Sequence, residues 1–148
     1  MTPQIPLAIQ DKLGKIPMLS AMEVDYRFYD GNELLLACPL LPNINDKGTV
    51  FGGSISALAT ICGWTITSLE ALKAGVNCDV VITKQTLQFL KPANSELIAR
   101  CECTAPYSFG SQLQAGRKAR LDLNVSLSSN GVNVAIFTGR YAAIPTKE

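Results

Sequence analysis

Met22, Val24, Tyr26 and Phe28 alternate with the charged residues Glu23, Asp25 and Arg27. A period of two places every second side chain on one face, so this stretch predicts a half-buried strand. Asp30-Gly31-Asn32 carries hairpin-turn chemistry, and Glu33 to Leu40 predicts the returning strand. The same pattern recurs near the end of the chain. Leu121, Leu123, Val125 and Leu127 alternate with Asp122, Asn124, Ser126 and Ser128. Ser129-Asn130-Gly131 then predicts a tight turn, and Val132 to Ile144 the return. Val80 to Leu90 and Leu97 to Thr104, parted by Pro92-Ala93-Asn94, add two more strands. The total is about six.

Two stretches follow a helical period. Pro6 to Gly14 sets Leu7, Ile9 and Leu13 against Gln10, Asp11 and Lys12, which predicts a short amphipathic helix. The second is longer. Gly48 to Leu69 carries no charge, Ser54 suits an N-cap, and the pattern runs to about Leu72 or Lys73 with Gly75 past its end. Its apolar residues, among them Ile55, Leu58, Ile61, Cys62 and Ile66, cover nearly every face, so it must be wrapped by protein. The uncharged run is long enough to span a bilayer. However, Thr49, Ser54, Ser56, Thr60, Thr65, Thr67 and Ser68 interrupt it, and amphipathic strands flank it. The expectation is a buried central helix, with Trp64 packing in the core or at an interface. One enveloped helix and about six half-buried strands predict an α+β fold, a curled antiparallel sheet wrapped around the helix, in a single domain over 1–148. Such a sheet leaves edge strands open, and pairing between copies is the natural remedy.

Composition narrows the function. The chain has 148 residues, 47% of them hydrophobic and 17% charged, enough for a sizeable core and too apolar for disorder. Net charge is +1 with no block of Lys or Arg, so neither nucleic acid nor a membrane is an expected partner. Met1 to Lys15 lacks the uninterrupted apolar core of a signal peptide, and a cytoplasmic location is expected. Five cysteines (Cys38, Cys62, Cys78, Cys101 and Cys103) form no CxxC pair and read as small core residues, Cys101 and Cys103 on one strand face. The chain contains no histidine, which removes Ser-His and Cys-His nucleophile pairs and most zinc chemistry. No metal is expected.

The candidate chemistry lies in Asn43-Ile44-Asn45-Asp46-Lys47-Gly48-Thr49-Val50-Phe51-Gly52-Gly53-Ser54. A helix start exposes unpaired backbone N–H groups, and two glycines let a ligand approach them. Such donors can hold a developing negative oxygen. Asn43, Asn45 and Asp46 are equally ordinary turn formers. A second polar stretch, Phe109 to Arg120, reads as a basic loop opening into a strand.

This order of elements, with Asn45-x-x-Gly48-Thr49-x-Phe51-Gly52-Gly53 leading into the helix, resembles the hotdog-fold acyl-CoA thioesterases. It is most similar to the phenylacetyl-CoA type, whose loop reads Asn-x-x-Gly-x-x-His-Gly-Gly. The phrase from Gly48 to Ser54, with Gly63-Trp64 later, resembles more narrowly the thioesterase domain that some bacteria carry behind an N-terminal acetyltransferase domain. No acetyltransferase motif is present. The likeness runs from about Met22 to Ile144. It implies a homo-oligomer, dimer or dimer of dimers, with active sites between subunits. It also implies an acyl-CoA or acyl-carrier-protein substrate and no cofactor, coenzyme A being only part of the substrate. By position, Asn45 matches the asparagine that orients water or substrate, and Phe51 matches the family histidine. Gly52 matches the residue whose N–H faces the thioester oxygen, with Gly53 beside it. Thr60 falls where the family has its catalytic carboxylate. A hydroxyl cannot serve as general base near neutral pH, although it can orient water. Asp46 is the nearest carboxylate in sequence, and Asp79 is another that an interface could supply. Arg117, Lys118 and Lys91 are the cations expected at coenzyme A phosphates. The missing carboxylate keeps open a non-catalytic acyl-thioester-binding protein on the same fold. A dehydratase is disfavoured by the absent histidine.

Overall fold

The alternating stretches become the strands of one sheet. The structure, a computed structural model, describes residues 5–147. Two short helices, α1 (Leu7–Leu13) and α2 (Pro17–Ala21), precede a hairpin of β1 (Asp25–Tyr29) and β2 (Glu33–Cys38). A single 3-10 turn, Leu41–Asn43, leads through the glycine-rich loop into α3 (Gly52–Lys73). Then come β3 (Cys78–Phe89), β4 (Leu97–Glu102), α4 (Tyr107–Gln114), β5 (Ala119–Ser129) and β6 (Val132–Pro145).

The six strands pair antiparallel in the order β1-β2-β4-β5-β6-β3. The sheet curls around α3, which touches every strand from β2 through β3. This is the hotdog arrangement expected from the sequence. Leu121, Leu123, Val125 and Leu127 of β5 and Phe137, Tyr141 and Ala143 of β6 are buried on the inner face. They meet Ile55, Leu58, Cys62, Ile66 and Leu69 of the helix. Burying such a side chain contributes about 1.5–3 kcal/mol, so the helix is held chiefly by envelopment. Its 22 residues are long and apolar enough to cross a membrane, yet 72% of the most apolar window is buried within the protein. One stripe stays half-buried: Gly52, Gly53, Ser56, Ala57, Thr60 and Trp64. It faces β3, where the Trp64 indole donates to the Val80 carbonyl at 2.9 Å.

Among the described residues β3 pairs only with β6, which leaves its other edge free. The register slips between Ile82 and Lys84, which leaves Thr83 as a bulge in that edge strand. At the far end of α3 the buried Glu70 accepts the Ala105 N–H at 2.9 Å and lies 2.5 Å from Lys73 Nζ. Lys73 also donates to the Gly31 carbonyl, tying the β1–β2 turn to the helix. Gly75 adopts φ of 76° just past the helix end, as its position suggested.

Some boundaries differ from expectation. The helix begins at Gly52 rather than after a Ser54 cap. The Phe51 carbonyl takes both the Ser54 N–H (2.9 Å) and the Ile55 N–H (3.1 Å), so the glycines are helical and Ser54 is buried inside the first turn. The first strand starts at Asp25, because Met22 closes the unforeseen α2 and Glu23 takes a positive φ of 57°. Part of the basic loop is a helix, α4, because Phe109 and Leu113 sit one turn apart and are both buried. All five cysteines are free and buried.

The register of α3 against the sheet is set by Tyr141. Its ring is fully buried and its hydroxyl donates to the Thr60 carbonyl at 2.7 Å. The ring fits because residue 63 is glycine: a Cβ there would overlap the hydroxyl and lie 2.5 Å from two ring carbons. Gly63→Ala is therefore expected to lose about 1–3 kcal/mol in urea unfolding. Tyr141→Phe should lose about 1 kcal/mol and fail to rescue Gly63→Ala, since the ring carbons clash as well as the hydroxyl.

Candidate active site

The loop before α3 is held by its own polar side chains. Asn43 is buried and donates to the carbonyls of Met22 (2.9 Å) and Pro39 (2.8 Å), and its own carbonyl takes the Phe51 N–H at 2.7 Å. The Val50 N–H reaches the Ala93 carbonyl at 2.7 Å, which fastens the loop to the segment after β3. Asn45 serves the turn itself. Its Oδ1 accepts the N–H groups of Lys47 (2.8 Å) and Thr49 (3.0 Å), and its Nδ2 donates to Thr49 Oγ1 at 2.8 Å. Asp46 points to solvent, with 82% of its side chain exposed, and pairs with Lys47 at 3.0 Å.

At the start of α3 the first two donors have no acceptor. Phe51 offers no side-chain cap, and neither the Gly52 nor the Gly53 N–H is hydrogen-bonded among the described residues. The helix dipole adds positive potential there. Gly52 opens on a groove of about 350 Å³ whose walls include Thr49, Ile55, Phe89, Leu90 and Lys91. Phe89 is 57% exposed and stands opposite Gly52, where a Cβ would lie 3.4 Å from its ring. Phe51 is 56% exposed, and its ring lies so close over Gly53 that a side chain there would have to push the ring aside. The arrangement offers a fixed donor, the Gly52 N–H, in the wall of a largely apolar groove, which suits a carbonyl oxygen gaining charge.

The structure brings together some of the expected residues and separates others. Gly52 and Lys91 line the groove, and Phe51 and Gly53 are the chain neighbours of Gly52, the Phe51 ring lying over Gly53. Asn45 reaches it only through Thr49. Thr60 lies eight residues along the helix from Gly52, about 12 Å away. Its hydroxyl faces Gln85 Oε1 at 3.2 Å. Lys118 lines a different cavity of about 330 Å³ with Ser108, Gln112 and Arg120, and the Arg117 guanidinium donates to Gln112. That cavity is at the other end of the sheet: Ala119 pairs with Ala143, and Ala143 with Val80, near the start of β3. From Val80 to Phe89 the strand covers about 30 Å, so Arg117 and Lys118 lie far from the groove of their own chain. Among the described residues no carboxylate lines the groove, and Asp79 is exposed at the opposite end of β3. Sequence reasoning missed Phe89 and Leu90, for which nothing in a strand end signals a wall. It also left Thr49 without a role, although the residue sits inside the quoted phrase.

Other reactive groups are silent. Burial pushes the Cys101 thiol up to about 12 and the Cys103 thiol to about 11, so both stay protonated at neutral pH and are poor nucleophiles. Among the described residues no cluster of Cys, Asp or Glu is placed to hold a metal ion.

The profile of the family described as "Putative thioesterase (yiiD_Cterm)" matches residues 8–145. Among solved structures, one described as the putative thioesterase from Shewanella oneidensis is 31% identical with a TM-score of 0.86, covering 93% of this chain and 94% of that one. A protein of unknown function from Chlorobaculum tepidum TLS is 25% identical with a TM-score of 0.88, covering 94% and 93%. A Pseudomonas aeruginosa protein described as a "Probable Thioesterase" shares the fold at 20% identity and a TM-score of 0.80, covering 95% of each chain.

The loop geometry separates two neighbouring residues. Asn45→Ala removes three hydrogen bonds of the turn and should lower unfolding free energy by about 1–3 kcal/mol. Asp46→Ala should stay within about 0.5 kcal/mol in the same urea titration.

Proposed function

Because this chain belongs to that thioesterase family, we propose that it hydrolyses acyl thioesters of coenzyme A or of an acyl carrier protein at the mouth of α3. The observation that carries this reading is the unbonded Gly52 N–H at a helix start, opening on a groove walled largely by apolar side chains, with the unbonded Gly53 N–H next to it in the chain. Water attacks the thioester carbonyl carbon, and a C–O bond forms. The carbonyl oxygen becomes an oxyanion and is met by the helix-terminal donors. The C–S bond then breaks, the water's proton passes to the departing thiolate, and free acid and thiol leave. One donor of this kind is worth about two to three decades in rate. The apolar walls fit the acyl group, and Lys91 at the rim suits an anionic carrier.

The free edge of β3 supports a two-fold dimer. An isologous pairing of edge strands runs antiparallel, so the Phe89 end of one copy meets the Cys78 end of the other. That pairing carries Arg117 and Lys118 of the second copy toward the first copy's groove, where the substrate's phosphates would lie. One observation favours a second reading. With no carboxylate on the groove among the described residues, the protein would bind acyl thioesters without cleaving them.

Thiol release from a panel of acetyl-, hexanoyl-, palmitoyl-, benzoyl- and phenylacetyl-CoA separates the two. Turnover above the blank with at least one ester is expected. A thermal shift with every ester and no release would replace the hydrolase by the binding protein. Gly52→Pro deletes one donor with little harm to the helix. Proline is favoured at the first helical position, and Phe51, at φ −59° and ψ 133°, already has the conformation a following proline requires. The expected result is a kcat lower by about 10²–10³ with a nearly unchanged Tm. Retention of full kcat would remove the Gly52 N–H from the mechanism.

A further inference from the structure

We propose that the Thr49 hydroxyl is a further donor to the groove beside the Gly52 N–H, its proton turned outward by Asn45; this rests on the hydrolase reading of the same site. The argument begins with the orientation of the Asn45 amide. Two backbone N–H groups, those of Lys47 and Thr49, point at one of its ends, at 2.8 and 3.0 Å. Only an oxygen can accept both, so that end is Oδ1 and the other is the NH₂. The NH₂ lies 2.8 Å from Thr49 Oγ1 and must donate to it. The threonine oxygen is therefore an acceptor in this contact, and its own proton is directed elsewhere. No acceptor for it exists among the described residues. Thr49 is half-buried and lines the groove with Gly52. A hydroxyl with its acceptor side occupied, set in the wall of a groove that already holds an unbonded N–H, is a donor awaiting an acceptor. A thioester oxygen, neutral at first and anionic in the transition state, is such an acceptor. Asn45 then never touches the substrate; it is a positioning residue that fixes the direction of the Thr49 hydrogen bond.

Three variants test the assignment. Thr49→Val keeps the shape and deletes the hydroxyl, and kcat should fall by about 10²–10³. Thr49→Ser restores the hydroxyl and should stay within about threefold of wild type. Asn45→Asp keeps an oxygen for the two backbone N–H groups but has no proton to give to Thr49. The Thr49 hydroxyl then donates to the carboxylate and is lost to the groove, so kcat should fall even though the turn is intact by thermal unfolding. A merely structural role for Asn45 would leave this variant close to wild type. Wild-type kcat in both Thr49→Val and Asn45→Asp overturns the proposal. A wild-type protein that releases no thiol from any ester sinks the hydrolase reading separately. The Thr49 assignment is then read from the infrared carbonyl stretch of bound acetyl-CoA labelled with ¹³C at the carbonyl. A lowered stretch in wild type and Thr49→Ser that rises toward the free value in Thr49→Val supports it. Equal stretches in wild type and Thr49→Val overturn it.

Discussion

A helix without a polar face can exist in water only inside something, and the architecture answers that constraint. α3 offers no side to solvent except a narrow stripe of small residues and Trp64. The sheet must therefore curl far enough to meet it from β2 around to β3. Closeness of fit is achieved where glycine and an aromatic ring exchange volume: Tyr141 occupies the space that Gly63 leaves, and Phe137 and Tyr141 both lean over Gly139. These contacts fix how far the helix slides along the sheet. They consequently determine where its first turn emerges, and hence where the Gly52 N–H opens beside Phe89.

The site arises from the same constraint. A helix start inside a protein ordinarily finds a capping side chain or another acceptor. Here the residue before the helix is a phenylalanine whose ring turns back over Gly53, so the first donors remain open. The loop leading there spends its polar groups on itself. Asn43 anchors it to the α2 end and to the chain after β2, and Asn45 closes the turn. This internal bonding leaves the loop rigid, and a rigid donor set needs little reorganisation when charge develops on a substrate.

Much of this was legible in the residues. Alternation such as Leu121 to Ser128 reports directly on which face is buried, and the apolar run from Ile55 to Leu69 admits only an enveloped helix. The double glycine located the open helix start. Boundaries set by tertiary contacts were not legible. Ser54 has the chemistry of a cap, but the Phe51 carbonyl captures its N–H and draws the helix two residues earlier. The Phe109–Leu113 pair is too short a period to outweigh the surrounding polar residues, yet one turn of burial suffices to make a helix. Distances across the fold were also hidden. The resemblance assigns Asn45, Thr60 and Arg117 to one site shared between subunits, whereas within a single chain the helix and the strand order spread them from the groove to the opposite end of the sheet.

The slip at Thr83 has a consequence of another kind. β3 is a long border strand with unsatisfied backbone groups, and flanking apolar side chains such as Val81 and Phe89 make it adhesive. A straight border of that length would accept strand after strand and grow into fibres. The extra residue bends it, and Lys84 follows at once with an exposed charge. The chain thereby limits which strangers can dock on it.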